Sequence, residues 1–321
     1  MENPFGSIHY NNIGTWLRQR FGCQVSKLSL DGGFTCPNRD GSKGYAGCSF
    51  CSWEGSGEFA SAVTPETIAD AMQEQIALLS RKWPEGKYIA YFQSHTNTYA
   101  PLEKLRALFD AALAVPGVAG LAIATRPDCL PPDVLELLSE YNRRTFLWVE
   151  LGLQTMHDHT ADMLNRCYPT SVFAEAAAAL RSREIPFLVH LIFGLPGETK
   201  EDMLASVRFA AAQKPFGIKI HSLSYLSDST LGRVLVSQEK GYNCSYKAFP
   251  PLRPLELQEY IDLVVDALEI LPPEITVHRI TGDAPADTLI APLWPKNKHA
   301  VLNGIQQEFK KRGSFQGCRA E

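Results

Sequence analysis

The chain has 321 residues, 45% of them hydrophobic, and a formal net charge of −4. That is enough apolar residue for one large α/β barrel or two modest domains. The charge gives no global reason to expect nucleic acid or an anionic membrane, the start Met-Glu-Asn-Pro shows no secretory leader, and no apolar run approaches membrane-spanning length.

Eight cysteines at scattered spacings do not resemble a secreted disulfide framework, so a reducing cytoplasm is expected. Residues 1–22 carry Tyr10, Trp16, Arg18, Arg20 and Phe21 and are expected to form a short helix closing one end. Val25–Leu30 reads as the first strand, and Asp31-Gly32-Gly33 leads it into a glycine-punctuated loop over 31–51. The loop holds Cys36, Cys48 and Cys51, the last two as a C-x-x-C pair. Four thiolates would close a tetrahedral zinc site or saturate an iron–sulfur cluster. Three on a 4Fe–4S cluster leave one iron open to a non-protein ligand, the opening a cluster needs to do chemistry. Two other readings stand beside it: half of a zinc site completed by Cys23 or a histidine, and a redox dithiol. The loop lies just beyond a strand's C-terminal end, the face on which α/β barrels place chemistry.

From there helix and strand signals alternate. A helix capped by Thr64, with Pro65 at its first position, runs to about Lys82. Strands follow at Lys87–Gln93, Val118–Thr125, Phe146–Leu153, Phe187–Phe193 and Gly217–Leu223. Between them lie helices at Pro101–Ala114, Pro131–Tyr141, Ser171–Arg183 and Thr199–Gln213, the last with a Thr199-x-x-Asp202 cap. The regular order argues a parallel sheet with helices outside it, a full or partial (β/α) barrel. The tail adds a helix (Leu257–Leu271), a strand (Ile275–Ile280) and a last helix (Asn297–Arg312), so the expected division is 1–254 and a C-terminal α/β extension, 255–321.

Strand parity sorts the side chains. Leu147, Val149, Leu151 and Leu153 share one face and pack on helices, which turns Glu150, with Trp148, Gly152 and Gln154, into the barrel. The same alternation places Lys219 and His221 inside, where charge is costly unless paired or ligand-bound. Mutual pairing alone is the plainer reading of that trio. A second glycine signal, His190-Leu-Ile192-Phe-Gly194-Leu-Pro-Gly197-Glu198, ends a strand before a capped helix and would let a ligand approach the backbone. Cys23, Cys129, Cys167, Cys244 and Cys318 read as ordinary thiols.

The cysteine loop resembles that of the radical S-adenosylmethionine (SAM) superfamily. The blocks Leu28–Gly41, Tyr91–Pro101, Ala124–Leu130, Val149–Thr155, His190–Glu198, Ile218–Leu223 and His278–Pro285 resemble the YhcC/YtqA-like family, related to the Elongator catalytic subunit. One departure is Cys167, where glycine is usual. The resemblance implies that Cys36, Cys48 and Cys51 hold a 4Fe–4S cluster whose fourth iron binds SAM. It implies cofactor contacts from Gln93, Arg126, Glu150, Gln154, Arg166, Ile192 and Gly194, Arg166 as a carboxylate partner. A reduced cluster would cleave SAM, and the resulting 5′-deoxyadenosyl radical would take hydrogen from a substrate, with a flavodoxin- or ferredoxin-type electron donor. Lys219, His221, His278, Arg279 and Asp283 stand at strand ends as substrate-side candidates. Family members are linked to the wobble-uridine side chain of tRNA; a small molecule or peptide is the alternative, and a zinc-stabilised binding protein a third. From Trp294 onward six basic residues face Glu308 and Glu321, which could track phosphates or simply form a solvated helix face.

Overall fold

The computed structural model describes residues 2–55, 57, 59–241, 249–282 and 285–320; Cys244 and Asp283 lie outside the described residues. The strands are β1 Val25–Asp31, β2 Ser61–Ala62, β3 Lys87–Phe92, β4 Val118–Thr125, β5 Phe146–Gln154, β6 Phe187–Phe193, β7 Gly217–Ser222, β8 Tyr225–Leu226, β9 Thr276–Arg279 and β10 Leu289–Ala291. The helices are α1 Ile13–Phe21, α2 Ile68–Ser80, α3 Leu102–Leu113, α4 Pro132–Arg144, α5 Asp158–Met163, α6 Thr170–Arg181, α7 Lys200–Ala212, α8 Thr230–Glu239, α9 Leu257–Ile270 and α10 Lys298–Arg312.

Eight strands pair in the order β2-β1-β3-β4-β5-β6-β7-β9, every neighbour parallel, which is the partial barrel that the βα alternation predicts. β8 and β10 form a separate antiparallel pair. Leu147, Val149, Leu151 and Leu153 lie in the large apolar layer between sheet and helices, while Trp148 joins Ile89, Tyr91, Ala122, Ala124 and Leu188 in a smaller inner cluster. The parity of β5 is therefore as expected. In the tail, expected to complete the side of the barrel, β9 extends the main sheet beside β7, with Gly217 opposite Thr276 and Lys219 opposite Arg279.

α1 is the closing helix. Its Asn12 side chain accepts the amides of Gly14 and Thr15, and Gly22 ends it with φ +72°. Leu17 enters the inner cluster, and Trp16 packs on Phe146 and Phe216, which stand where β5 and β7 begin. The segment before α1 is stitched to distant chain. The Val277 amide donates to the Asn11 carbonyl (2.7 Å), the Asn11 amide donates to Gln316 Oε1 (2.8 Å), and His9 stacks on Phe309.

Two local readings change. α2 begins at Ile68, not beside Thr64: the Thr64 carbonyl accepts the amides of Thr67 and Ile68, and its hydroxyl faces Thr67 Oγ1 rather than capping. α5, α8, β2, β8 and β10 were not anticipated. The Thr199–Asp202 box is present in both directions, with Thr199 N donating to the Asp202 carboxylate at 2.9 Å and Thr199 Oγ1 accepting from Asp202 N at 3.2 Å.

Candidate functional site

The cysteine loop follows β1 at the C-terminal end of the sheet. Cys51 N donates to the Cys48 carbonyl at 3.0 Å, turning the C-x-x-C pair so that its two sulfurs share a hydrogen bond. That bond from Cys51 pulls the Cys48 thiol down to about 7 against the effect of burial, helped by Arg126, Asn38 and Arg39. The same bond, with burial, pushes Cys51 up. Arg126 reaches to 3.9 Å from Cys36 Sγ while gripping Asp128 with two bonds of 2.9 Å. Asn38 Nδ2 lies 3.6 Å from Cys48 Sγ and also donates to the Asn165 carbonyl. Three thiols with two guanidinium groups around them suit a group that binds deprotonated sulfur. Among the described residues no three His, Cys, Asp or Glu side chains are grouped to hold one metal ion, whereas a cluster takes each thiolate on a separate iron. The residues present fit a 4Fe–4S cluster.

Cys167 sits behind this loop. Its φ is +63°, the left-handed backbone that favours glycine, and its thiol lies 3.1 Å from Asn38 Oδ1. The turn thus keeps its shape with a side chain where glycine is usual, and the thiol joins the amide network behind Cys48.

Within the barrel, Glu150 is 1% exposed and fully satisfied by protein donors. Tyr91 Oη donates at 2.9 Å and Trp148 Nε1 at 3.0 Å, His190 Nε2 lies at 2.9 Å, and Lys219 completes an ion pair. Burial alone would raise the carboxyl, but Lys219 and His190 outweigh it and hold it well below its usual range. Glu150 therefore meets the lumen through its donors. Lys219 is 2% exposed and committed to that carboxylate and to Tyr91 Oη. His221 and His278 line the same space. His278 Nε2 contacts Thr276 Oγ1 at 3.0 Å, and His221 packs on His190 with ring centroids 5.4 Å apart.

Burial and the Lys219 charge push His190 down to about 4, against the pull of Glu150. The unfolded chain takes up a proton near pH 6.5 that the folded imidazole accepts only near 4, so stability falls as pH drops through that window. Urea midpoints at pH 7 and pH 5 should show a loss of about 1–2 kcal/mol, reduced in His190→Gln. An unchanged slope in that variant would remove His190 from the account.

Gln93, Gln154, Gly194 and Arg279 stand at the C-terminal ends of β3, β5, β6 and β9, and Ile192 lies opposite His221. Two residues expected to touch cofactor also have structural partners within the chain. Arg166 is 1% exposed and spends its guanidinium on the carbonyls of Leu153, Thr155 and Tyr168, on Asp158 and on Thr170, fixing the chain that leaves β5. Gly194 has φ +86°, and a Cβ there would meet Leu255 at 3.0 Å, so its freedom serves the backbone and the packing of that leucine. The basic tail is also largely spent. Arg312 contacts Asp262, Asp266, Glu269 and Glu308, Lys311 pairs with Glu308, and Arg319 with Glu269. The phosphate-tracking reading of that segment loses those three cations. Lys27, Tyr91 and His190 complete the lumen and were missed as lumen residues; the alternation of β1, β3 and β6 carries the signal.

Residues 36–210 match the Radical SAM superfamily, and residues 215–311 match the Radical_SAM C-terminal domain. The uncharacterized protein YtqA of Bacillus subtilis (strain 168) is 46% identical over 98% of this chain and 95% of its own length. A tRNA uridine(34) acetyltransferase of Dehalococcoides mccartyi (strain CBDB1) is 26% identical over 62% of this chain and 40% of its own. The solved archaeal Methanocaldococcus infernus Elp3, lacking its N-terminus, superposes with a TM-score of 0.64 at 16% identity, over 91% of this chain and 64% of that one. The neighbour shows the fold, and no helix among the described residues is long and apolar enough to cross a membrane. Three cysteines at the mouth of a parallel half-barrel, with these matches across nearly the whole chain, make it a member of the radical SAM superfamily and of the family of YtqA, whose cofactors are a 4Fe–4S cluster and SAM.

Proposed function

We propose that this enzyme reductively cleaves SAM and abstracts hydrogen from the wobble-uridine side chain of a tRNA. The observation that carries the reaction is the convergence of Cys36, Cys48 and Cys51 over a lumen lined with polar groups. When bound, the cluster supplies the electron that breaks a carbon–sulfur bond of SAM. Arg126 holds positive charge beside Cys36, and Asn38 orients Cys48. Gln93, Gln154 and Ile192, at the strand ends, are the proposed SAM contacts. Glu150 acts through Lys219, His190 and Tyr91, keeping those groups aimed across the lumen. Lys219, His221, His278, Arg279 and Asp283 are the proposed substrate side, and enclosing them excludes water from the reacting centre. The relative named as a tRNA uridine(34) acetyltransferase supports the RNA substrate. We assign the electron to a flavodoxin- or ferredoxin-type donor in the cytoplasm.

The test is 5′-deoxyadenosine release by anaerobically reconstituted, dithionite-reduced protein, with and without bulk tRNA. Release stimulated several-fold by tRNA is expected. Release indifferent to tRNA would replace the RNA with a small molecule or peptide. No release from fully loaded protein would refute the reaction itself.

A further inference from the structure

Lys27 has no place in the account above. Leu28 and Leu30 on β1 belong to the layer under the helices, so Lys27 faces the lumen. Its ammonium lies 4.7 Å from the Tyr91 ring centroid, and that of Lys219 lies 4.6 Å from the same ring. Two amines thus share one aromatic ring and, among the described residues, one neighbouring acid, Glu150. The ion pair with that acid goes to Lys219. Arg279 adds further positive charge to the space. Around it His221 Nε2 and His278 Nδ1 are buried without a hydrogen-bond partner. A buried nitrogen without a partner is costly, and so is a half-buried cation with no ion pair of its own. One negatively charged, multiply accepting ligand held beside Lys219 would give Lys27 a counter-charge and the His221 nitrogen a partner.

We propose that Lys27, Lys219 and His221 form a subsite in the barrel lumen for an anionic group of the substrate, a carboxylate or a phosphate. The subsite rests on the reading of the lumen as the substrate pocket. It differs from the cysteine mouth, because Lys27 and Lys219 lie within their strands rather than in the loops beyond them. The Tyr91 ring carries both amines, which lie side by side, and Glu150 keeps Lys219 in position through its ion pair.

The experiment measures thermal unfolding of the reconstituted protein in acetate, in inorganic phosphate and in chloride at matched ionic strength. Ligand binding to the folded state alone raises Tm. A rise of about 2–4 °C with one anion over chloride is expected, abolished in Lys27→Met and retained in Lys27→Arg. Acetate acting alone identifies a carboxylate, and phosphate acting alone identifies a phosphate of the nucleic acid. Neither anion shifting the wild type, or an equal shift in Lys27→Met, overturns the subsite. If Lys27→Met does not fold, Lys27→Gln takes its place with the same expectations. SAM affinity is measured in parallel, and a tenfold loss in the variant would assign the anion to SAM itself and overturn the substrate assignment. Binding is read without turnover, so absence of the anion effect in the wild type with intact 5′-deoxyadenosine release sinks only the subsite. The converse result sinks only the proposed reaction.

Discussion

Cys48→Ala is expected to leave the protein folded, colourless after reconstitution and unable to release 5′-deoxyadenosine above background. Cys129→Ala is the matched control and should keep both colour and release. The two thiols differ in surroundings. Cys48 is brought down to about 7 by the bond from Cys51, against the effect of burial and with help from Arg126 and Asn38. Cys129 is buried and pushed up to about 12, with the Asp128 charge adding to the effect. Iron binds the thiolate, and Cys48 stands beside Cys51 with Arg126 and Asn38 to favour it, whereas Cys129 has the Asp128 carboxylate as its neighbour. Absorbance near the visible charge-transfer bands and iron content per chain give the answer. Full iron loading of Cys48→Ala would remove this residue from the ligand set.

Glu150→Ala should be the most destabilising single change in the lumen. It strands Lys219, 2% exposed, without its counter-charge and leaves the Tyr91 hydroxyl, the Trp148 indole and His190 without their acceptor. Breaking a buried ion pair from one side costs about 3–5 kcal/mol. The double variant Glu150→Met with Lys219→Met removes both charges and should recover most of that loss, because an apolar pair of similar volume avoids the desolvation cost. Urea unfolding of the wild type, Glu150→Met, Lys219→Met and the double variant gives the coupling directly. A single-variant cost below about 1 kcal/mol would mean that water already reaches Lys219.

Much of the frame was legible because it follows from local chemistry. The alternation of strands and helices and the inward turn of Glu150 rest on periodicity, and the cap at Thr199 rests on a side chain that bonds the amide three residues on. What was not legible depends on meetings between distant segments. Arg166 in isolation is a cation suited to a carboxylate; only the fold brings it the carbonyls of Leu153, Thr155 and Tyr168. The basic tail looked free because its partners Asp262, Asp266 and Glu269 lie on α9, spaced along one helical face that meets α10. Thr64 carried the right residue type for a cap but the chain makes one more turn before α2. α8 could have been found, since Leu231, Val234 and Leu235 are spaced for one buried helical face.

The stitch between Asn11 and Gln316 joins positions 305 apart. A ribosome adding roughly 5–20 residues per second needs about 15–60 s to deliver the second after the first. Through that interval the Asn11 amide lacks its acceptor, and the segment before α1 is not yet tied to the end of the chain. Loop closure over such a span is paid before its contacts reward it, which makes this seam a slow, late event in maturation. A nascent chain stalled short of Gln316 would therefore be the species most exposed to chaperone capture and to proteolysis, and the stitch acts as a timer on when a finished pocket first exists.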